Sequence, residues 1–556
     1  MNKHFFAQHR SKISRVIVSS LLTLLFTCLA VFVLSYVSLA VMIGPWIDPT
    51  LALCGLGLLS LSAWFSWRGV SRSEMLLVVA AGSMGGLIAS AAVWSIPTLY
   101  FLDNAYFISL LERPMYFIGG IMALVCAAGS VGMLVARCTA FAWLDTEQYA
   151  FPIAQLVVRT LTVFGNVYQF CLLGLGAVSA VLFHAAQLVR WGIPSTISLM
   201  QQKIINSWMC LPHIIINMNT APMLWAVGFI AGNLLVVPLC VGMLLRLLLM
   251  DPCYRLWFSL HLSQQNFATA FCTGIIIQGV VYSFWKLFLT WRKSSIKGSP
   301  PLAIRVMHLM SWLLPLRNMG YYAVGVVACA ALVLRCIAHL SWVSIFYVLI
   351  ASAVCGYQLI LLMGRIGLAP LGRFATFVMV PGLLLFRFNG LQATVVAAFV
   401  ELVGAVAASA ASGMRIAQSA RRDEQSESIY YYQAIALFIS ALAVGVVMWV
   451  FATYFGFGVP PLLAQRAQAR ALLIGAHEMH MGVLLVGVLV GFTLQALTNI
   501  NTTLLLGGIL MSTSDTLMLI AGGALSYMWH EPAKLEPFWS GVFTASSLWM
   551  MSRILL

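Results

Sequence analysis

Apolar runs long enough to cross a bilayer recur from one end of this sequence to the other, and the stretches between them are short. In lipid every backbone N–H and C=O must find its partner within the protein, so such a chain is restricted to bundled helices or a closed barrel. The runs have the length of helical spans, about 20 residues, not that of barrel strands, about 10. Charged residues are only 8% of the chain and hydrophobic ones 62%, which excludes a soluble globular protein. The expected fold is therefore an all-α polytopic membrane protein. At about 20 residues per span plus short turns, the chain holds roughly 14 to 16 helices.

Several function classes fall away. No hydrophilic stretch is long enough for a fused ATPase domain, and no Gly-x-x-x-x-Gly-Lys phosphate loop is present. Work on a solute must then draw on a gradient or a partner. The formal net charge of +15 fits Lys and Arg in cytoplasmic loops, where they set topology, and not nucleic-acid binding. The twelve cysteines lie in apolar segments without a Cys-x-x-Cys pair. They read as small buried hydrophobes, with no disulfide, metal or cofactor implied.

Spans are expected at 16–43, 50–67, 74–103, 115–136, 152–165, 166–190, 222–246 and 267–290. The second half gives 320–338, 342–363, 369–386, 390–413, 430–455, 472–495, 498–527 and 537–552. Residues 204–218 are too short and polar for a simple crossing and read as re-entrant. The first span is expected to be an uncleaved helix with its amino end cytoplasmic, in the inner or plasma membrane. A basic, Pro-rich linker at 291–303 separates an N-terminal unit, 1–290, from a C-terminal one, 304–556. Counting crossings puts most arginine clusters on one side; Arg466 and Arg470 violate the pattern.

The stretch from Glu74 to Asp103 stands out. Gly82, Gly86 and Ser90 recur every four residues and form one small-residue stripe on a helix, which lets two backbones approach closely. Pro97 then removes a backbone donor. Two readings stand: a Pro-kinked packing helix, or a discontinuous helix at a transport site with Ser83, Gly85, Gly86 and Ser95 near its cavity. A shift of 284 residues pairs Pro97 with Pro381 and Arg137 with Arg421. It implies two parallel pseudo-repeats of eight helices, each with one Pro-broken helix.

Glu401 lies about eleven residues from either end of its span. An acid at that depth normally faces a cavity or a partner. It is the leading candidate for cation coupling, with a structural hydrogen bond or an interhelical pair as the alternative. His477 and Glu478 come second. The sequence His477-Glu-Met-His480 departs from the His-Glu-x-x-His spacing of zinc proteases, so no metal is expected there. Asn499 and Asn501 read as polar lining of a broken helix or as interhelical hydrogen-bond groups.

These residues resemble a known family. Ala81-Gly-Ser83 followed by Ile96-Pro-Thr-Leu99, Gly119-Gly120 through Arg137, and Tyr149-Ala-Phe-Pro152 are similar to motifs of the oligopeptide transporter family. So are Val227-Gly-Phe-Ile-Ala-Gly232, Gly364-Arg-Ile-Gly367, Leu506-Gly-Gly508 and Trp539-Ser-Gly541, in the family's order. Ile153 and Ala154 stand where that family has Glu-Gly. The resemblance implies about sixteen helices from a duplicated eight, and proton-coupled symport of a small peptide or metal chelate. It would be a transporter and not an enzyme, with the bilayer, the solute and the coupling cation as partners and a homodimer as a possible assembly. The rival class is a polytopic membrane enzyme or lipid-handling protein.

Overall fold

The computed structural model describes residues 2–41, 72–143, 167–188, 196–202, 214–255, 317–366, 371–419, 425–459, 462–474, 481–497, 513–529 and 531–555, with single residues between them. In chain order the helices are α1 (Asn2–Val41), α2 (Arg72–Ser95), α3 (Thr98–Leu102), α4 (Asn104–Leu111), α5 (Pro114–Trp143) and α6 (Val167–Leu188). A hairpin of β1 (Thr196–Gln202) and β2 (Ile214–Asn219) follows, then α7 (Pro222–Ala231) and α8 (Asn233–Leu245). Beyond it lie α9 (Arg317–Ala338), α10 (Trp342–Ile366), α11 (Leu371–Phe386), α12 (Gly390–Ser419) and α13 (Gln425–Tyr454). The last are α14 (Gln465–Ile474), α15 (Met481–Leu497), α16 (Thr513–Met528) and α17 (Pro532–Leu555).

Among the described residues, seven helices are long and apolar enough to cross a membrane. The molecule is thus built as a helical membrane protein. In two of the seven, Ser73–Leu102 and Gly390–Gln418, an 18-residue stretch is wholly buried in protein. They lie against each other, with α1 and α13 packed on α2, and α5, α10 and α11 on α12. The small-residue stripe makes the first of these contacts possible. A Cβ at Gly82 would sit 2.9 Å from Phe26 Cβ, and one at Gly85 2.7 Å from Thr27 Cγ2 and 2.9 Å from Ser440 Oγ. Ser38 donates to Ser90 across the same seam at 3.0 Å. Gly82, Gly85 and Ser90 therefore pack α2 onto α1.

A second group of helices meets backbone to backbone. A Cβ at Gly228 of α7 would fall on the Leu519 carbonyl of α16, and one at Gly522 on the Trp225 carbonyl. Gly176 of α6 and Gly541 of α17 repeat this reciprocal contact through Phe538 and Leu173, and Gly274 and Gly487 repeat it through Leu484 and Phe271. Gly508 faces the Leu239 carbonyl and Gly242 in the same manner. At each crossing the carbonyl belongs to the residue three positions before the partner glycine, which only side-chain-free positions permit.

Three expectations need correction. First, residues 214–219 are not part of a re-entrant helix but pair with 196–202 as an antiparallel ribbon, Thr196 opposite Asn219. The β-branched run Ile214-Ile-Ile216 suits a strand. The ribbon's second strand packs against α16. Second, the helix is not broken at Pro381. It continues through Pro381 to Phe386, and the chain breaks just beyond, where Arg387 takes a left-handed φ of 52°. There Asn389 and Gln392 cap α12 reciprocally: the Gln392 N–H donates to Asn389 Oδ1 at 2.8 Å and the Asn389 N–H to Gln392 Oε1 at 3.1 Å. Third, the expected span 222–246 is divided at Gly232, whose φ is 54°.

Candidate functional site

The site forms where α2 ends. Ile96 N–H still donates to Ala92, but Pro97 has no N–H to give, and Leu99 N–H bonds only as far back as Ile96. The carbonyls of the last turn of α2 therefore need donors from outside the helix. One comes from α14: Arg470 Nη1 donates to the Trp94 carbonyl at 3.3 Å. The same nitrogen donates to Ser95 Oγ at 2.5 Å.

Arg470 Nη2 is paired with Glu401 Oε1 on α12. Ser95 Oγ donates to the other carboxylate oxygen, Oε2, at 2.5 Å. Ser95, Glu401 and Arg470 thus close a triangle joining three elements. Glu401 is 0% and Arg470 8% exposed, so water screens neither charge. Helix ends complement both groups. The carbonyl end of α2 faces the guanidinium, and the first turn of α11 faces the carboxylate: a Cβ at Gly372 would lie 3.4 Å from Glu401 Oε1 and 3.7 Å from Arg470 Nη2. Gly372 leaves this approach free of a side chain.

Arg466, one turn earlier on α14, lays its guanidinium over the Trp94 ring, 3.9 Å from the ring centroid. Two more polar groups lie within one turn of Ser95. Trp94 Nε1 and Thr98 Oγ1 are buried with no hydrogen-bond partner. The short α14 is carried to this place by an aromatic cluster. Phe457 is 2% exposed and meets Tyr100 and Phe107 edge-on. Gly456 and Gly458 turn the chain with positive φ, and Ala464 N–H docks on the Leu39 carbonyl. The chain that leaves α13 is thereby folded back onto α3.

The structure brings Ser95, Pro97 and Glu401 together. Ser83 instead bonds back to the Ala80 carbonyl at 3.0 Å within its own helix. Gly85 is in the packing seam, Gly86 is buried within α2, and Pro381 is inside α11. His477, Glu478, Asn499 and Asn501 lie outside the described residues. The residues that sequence reasoning did not select are Arg470 and Arg466. A signal was present: both violate the arginine pattern because they serve the interior, not a loop.

No family model and no curated protein matches the sequence. The functional reading stands on the side chains themselves.

Proposed function

We propose that the protein is a secondary-active transporter, resembling the oligopeptide transporter family, that moves a small peptide or metal chelate with a proton across the cell membrane. One observation carries this reading: a carboxylate and a guanidinium meet at the proline-made end of α2, between two helices whose central stretches are buried in protein. Ionisable groups at membrane depth are costly and normally mark pathways for solutes or ions. Broken helices supply free backbone groups at the same depth. Here both features occur at one point. Glu401 is the coupling group and Arg470 its counter-charge. The break at Pro97 lets α3 and α14 shift against α2 without unwinding a continuous helix.

The test is uptake into proteoliposomes. Wild-type protein accumulates a small peptide or metal chelate when a proton gradient is imposed. Glu401→Gln keeps the side-chain shape and removes the charge, so gradient-driven accumulation fails while solute exchange survives. Accumulation in Glu401→Gln with an unchanged pH profile would reduce Glu401 to a structural partner. Absence of uptake by wild type across a broad panel, alongside turnover of a lipid or peptide bond, would favour the enzyme class.

A further inference from the structure

We infer that the solute binds through a carboxylate, and that Glu401 is the carboxylate that fills the site while the solute is absent. This rests on the transporter reading and names the chemistry of its site.

The donor set is the first argument. Glu401 receives Arg470 Nη2 on one oxygen and Ser95 Oγ on the other. Both donors come from α14 and α2; only the acceptor comes from α12. A planar guanidinium with a second donor beside it fits any carboxylate, not this one alone. The second argument is spare capacity. The Trp94 indole N–H and the Thr98 hydroxyl, within one turn of Ser95 along the chain, are buried without hydrogen-bond partners, each 2% exposed or less. Buried polar groups without partners are rare, and a ligand is one way to satisfy them. The third argument is charge. Among the described residues the centre holds two guanidiniums, Arg466 and Arg470, against one carboxylate. An anion is the occupant that balances it.

The exchange conserves charge. Glu401 takes up one proton, becomes neutral and releases Arg470. The solute carboxylate takes its place on Arg470 Nη2, and Ser95 turns its hydroxyl to the newcomer. One proton and one negative charge enter together, so the net charge of the centre does not change. The groups facing Glu401 allow this. Arg470 and Arg466 come from α14, Ser95 from α2 and the backbone of Gly372 from α11. From α5, α10 and α13, Gly132, Gly356, Leu359 and Gln433 lie against α12, as does Tyr430, whose hydroxyl donates to Met414 Sδ near the far end of that helix from Glu401. Arg335 of α9 is held on the Leu340 carbonyl.

The experiment is titration calorimetry on the full purified chain, with tri-alanine, tri-alanine amide, citrate and inorganic phosphate as probes. Each is run in two buffers of different ionisation enthalpy to count protons. A carboxylate probe binds the wild type with uptake of about one proton, and tri-alanine amide binds about tenfold more weakly than tri-alanine or not at all. Glu401→Gln removes the internal competitor, so affinity for the carboxylate rises and proton uptake vanishes. Arg470→Gln loses binding. Because that variant leaves Glu401 without its counter-charge, Glu401→Gln/Arg470→Gln, which buries no charge at this pair, serves as a second test and is also expected to lose binding. Equal binding of acid and amide, binding of phosphate alone, binding of no probe, or proton uptake that survives Glu401→Gln would each overturn the inference. The two readings fail separately. Carboxylate binding with proton uptake but no accumulation in liposomes would sink the transporter and keep the site. Gradient-driven accumulation of the amide as well as the acid would do the reverse.

Discussion

Two regions of the molecule hold helices together by opposite means. At the end of α2, three elements meet through long side chains whose charges converge on one point. Along α6–α8 and α15–α17, the helices cross glycine against carbonyl, with no side chain at the crossing points. The first contact is directional and rests on opposite charges and hydrogen bonds. The second depends only on the space left by missing Cβ atoms, and no proton or solute changes it. The comparison separates a contact made by charge from one fixed by shape.

The largest test of this contrast is Arg470→Leu. It removes the guanidinium bonded to the buried Glu401, and stability should fall by about 3–5 kcal/mol, measured by reversible denaturation in mixed micelles. Adding Glu401→Leu should recover most of that loss, because the pair as a whole costs desolvation. A double variant no better than the single one would mean that the pair itself, not the orphaned charge, holds the region together. In the glycine seam, Gly176→Ala should cost about 1–3 kcal/mol, since its Cβ would fall on the Phe538 carbonyl. Gly174→Ala, two residues away with open space around it, should change stability by less than about 0.5 kcal/mol. Equal effects at the two positions would break the seam argument. The smallest expected stability change at the charged centre is that of Ser95→Ala, about 1–2 kcal/mol from the lost bonds to Glu401 and Arg470. It should also weaken carboxylate binding in the calorimetric titration while leaving proton uptake at about one.

Much of the helical frame is legible in sequence. The spans expected at 342–363, 390–413 and 430–455 correspond to Trp342–Ile366, Gly390–Ser419 and Gln425–Tyr454. Long apolar runs leave the backbone no alternative. Glu401 and Pro97 were legible because each is a local oddity, an acid at mid-span and a helix breaker. Arg470 was harder. It lies 69 residues from its partner, and no periodicity links a short helix after a loop to the middle of an enclosed span. Pro381 shows the converse limit. Composition alone does not tell a proline that kinks a helix from one that ends it; neighbouring contacts decide. At Gly232 the sequence 222–246 reads as one apolar run, because a glycine is compatible with both a continuous helix and a left-handed turn.

The enclosure of α2 and α12 has a consequence for how the protein is made. Both have the apolar composition of segments that enter lipid unaided, with mean hydropathy of 2.0 and 1.9, yet the central stretch of each is buried in protein. Each must first be inserted as a free span and be surrounded later. Synthesis places Glu401 in the membrane before Arg470 has left the ribosome, so the carboxylate is carried in by the apolar residues of its own helix. The ion pair closes only after α13 has been laid down and the chain has turned back on itself. A ribosome stalled shortly before residue 470 would leave a nascent bundle in which Glu401 lacks the guanidinium it bonds to.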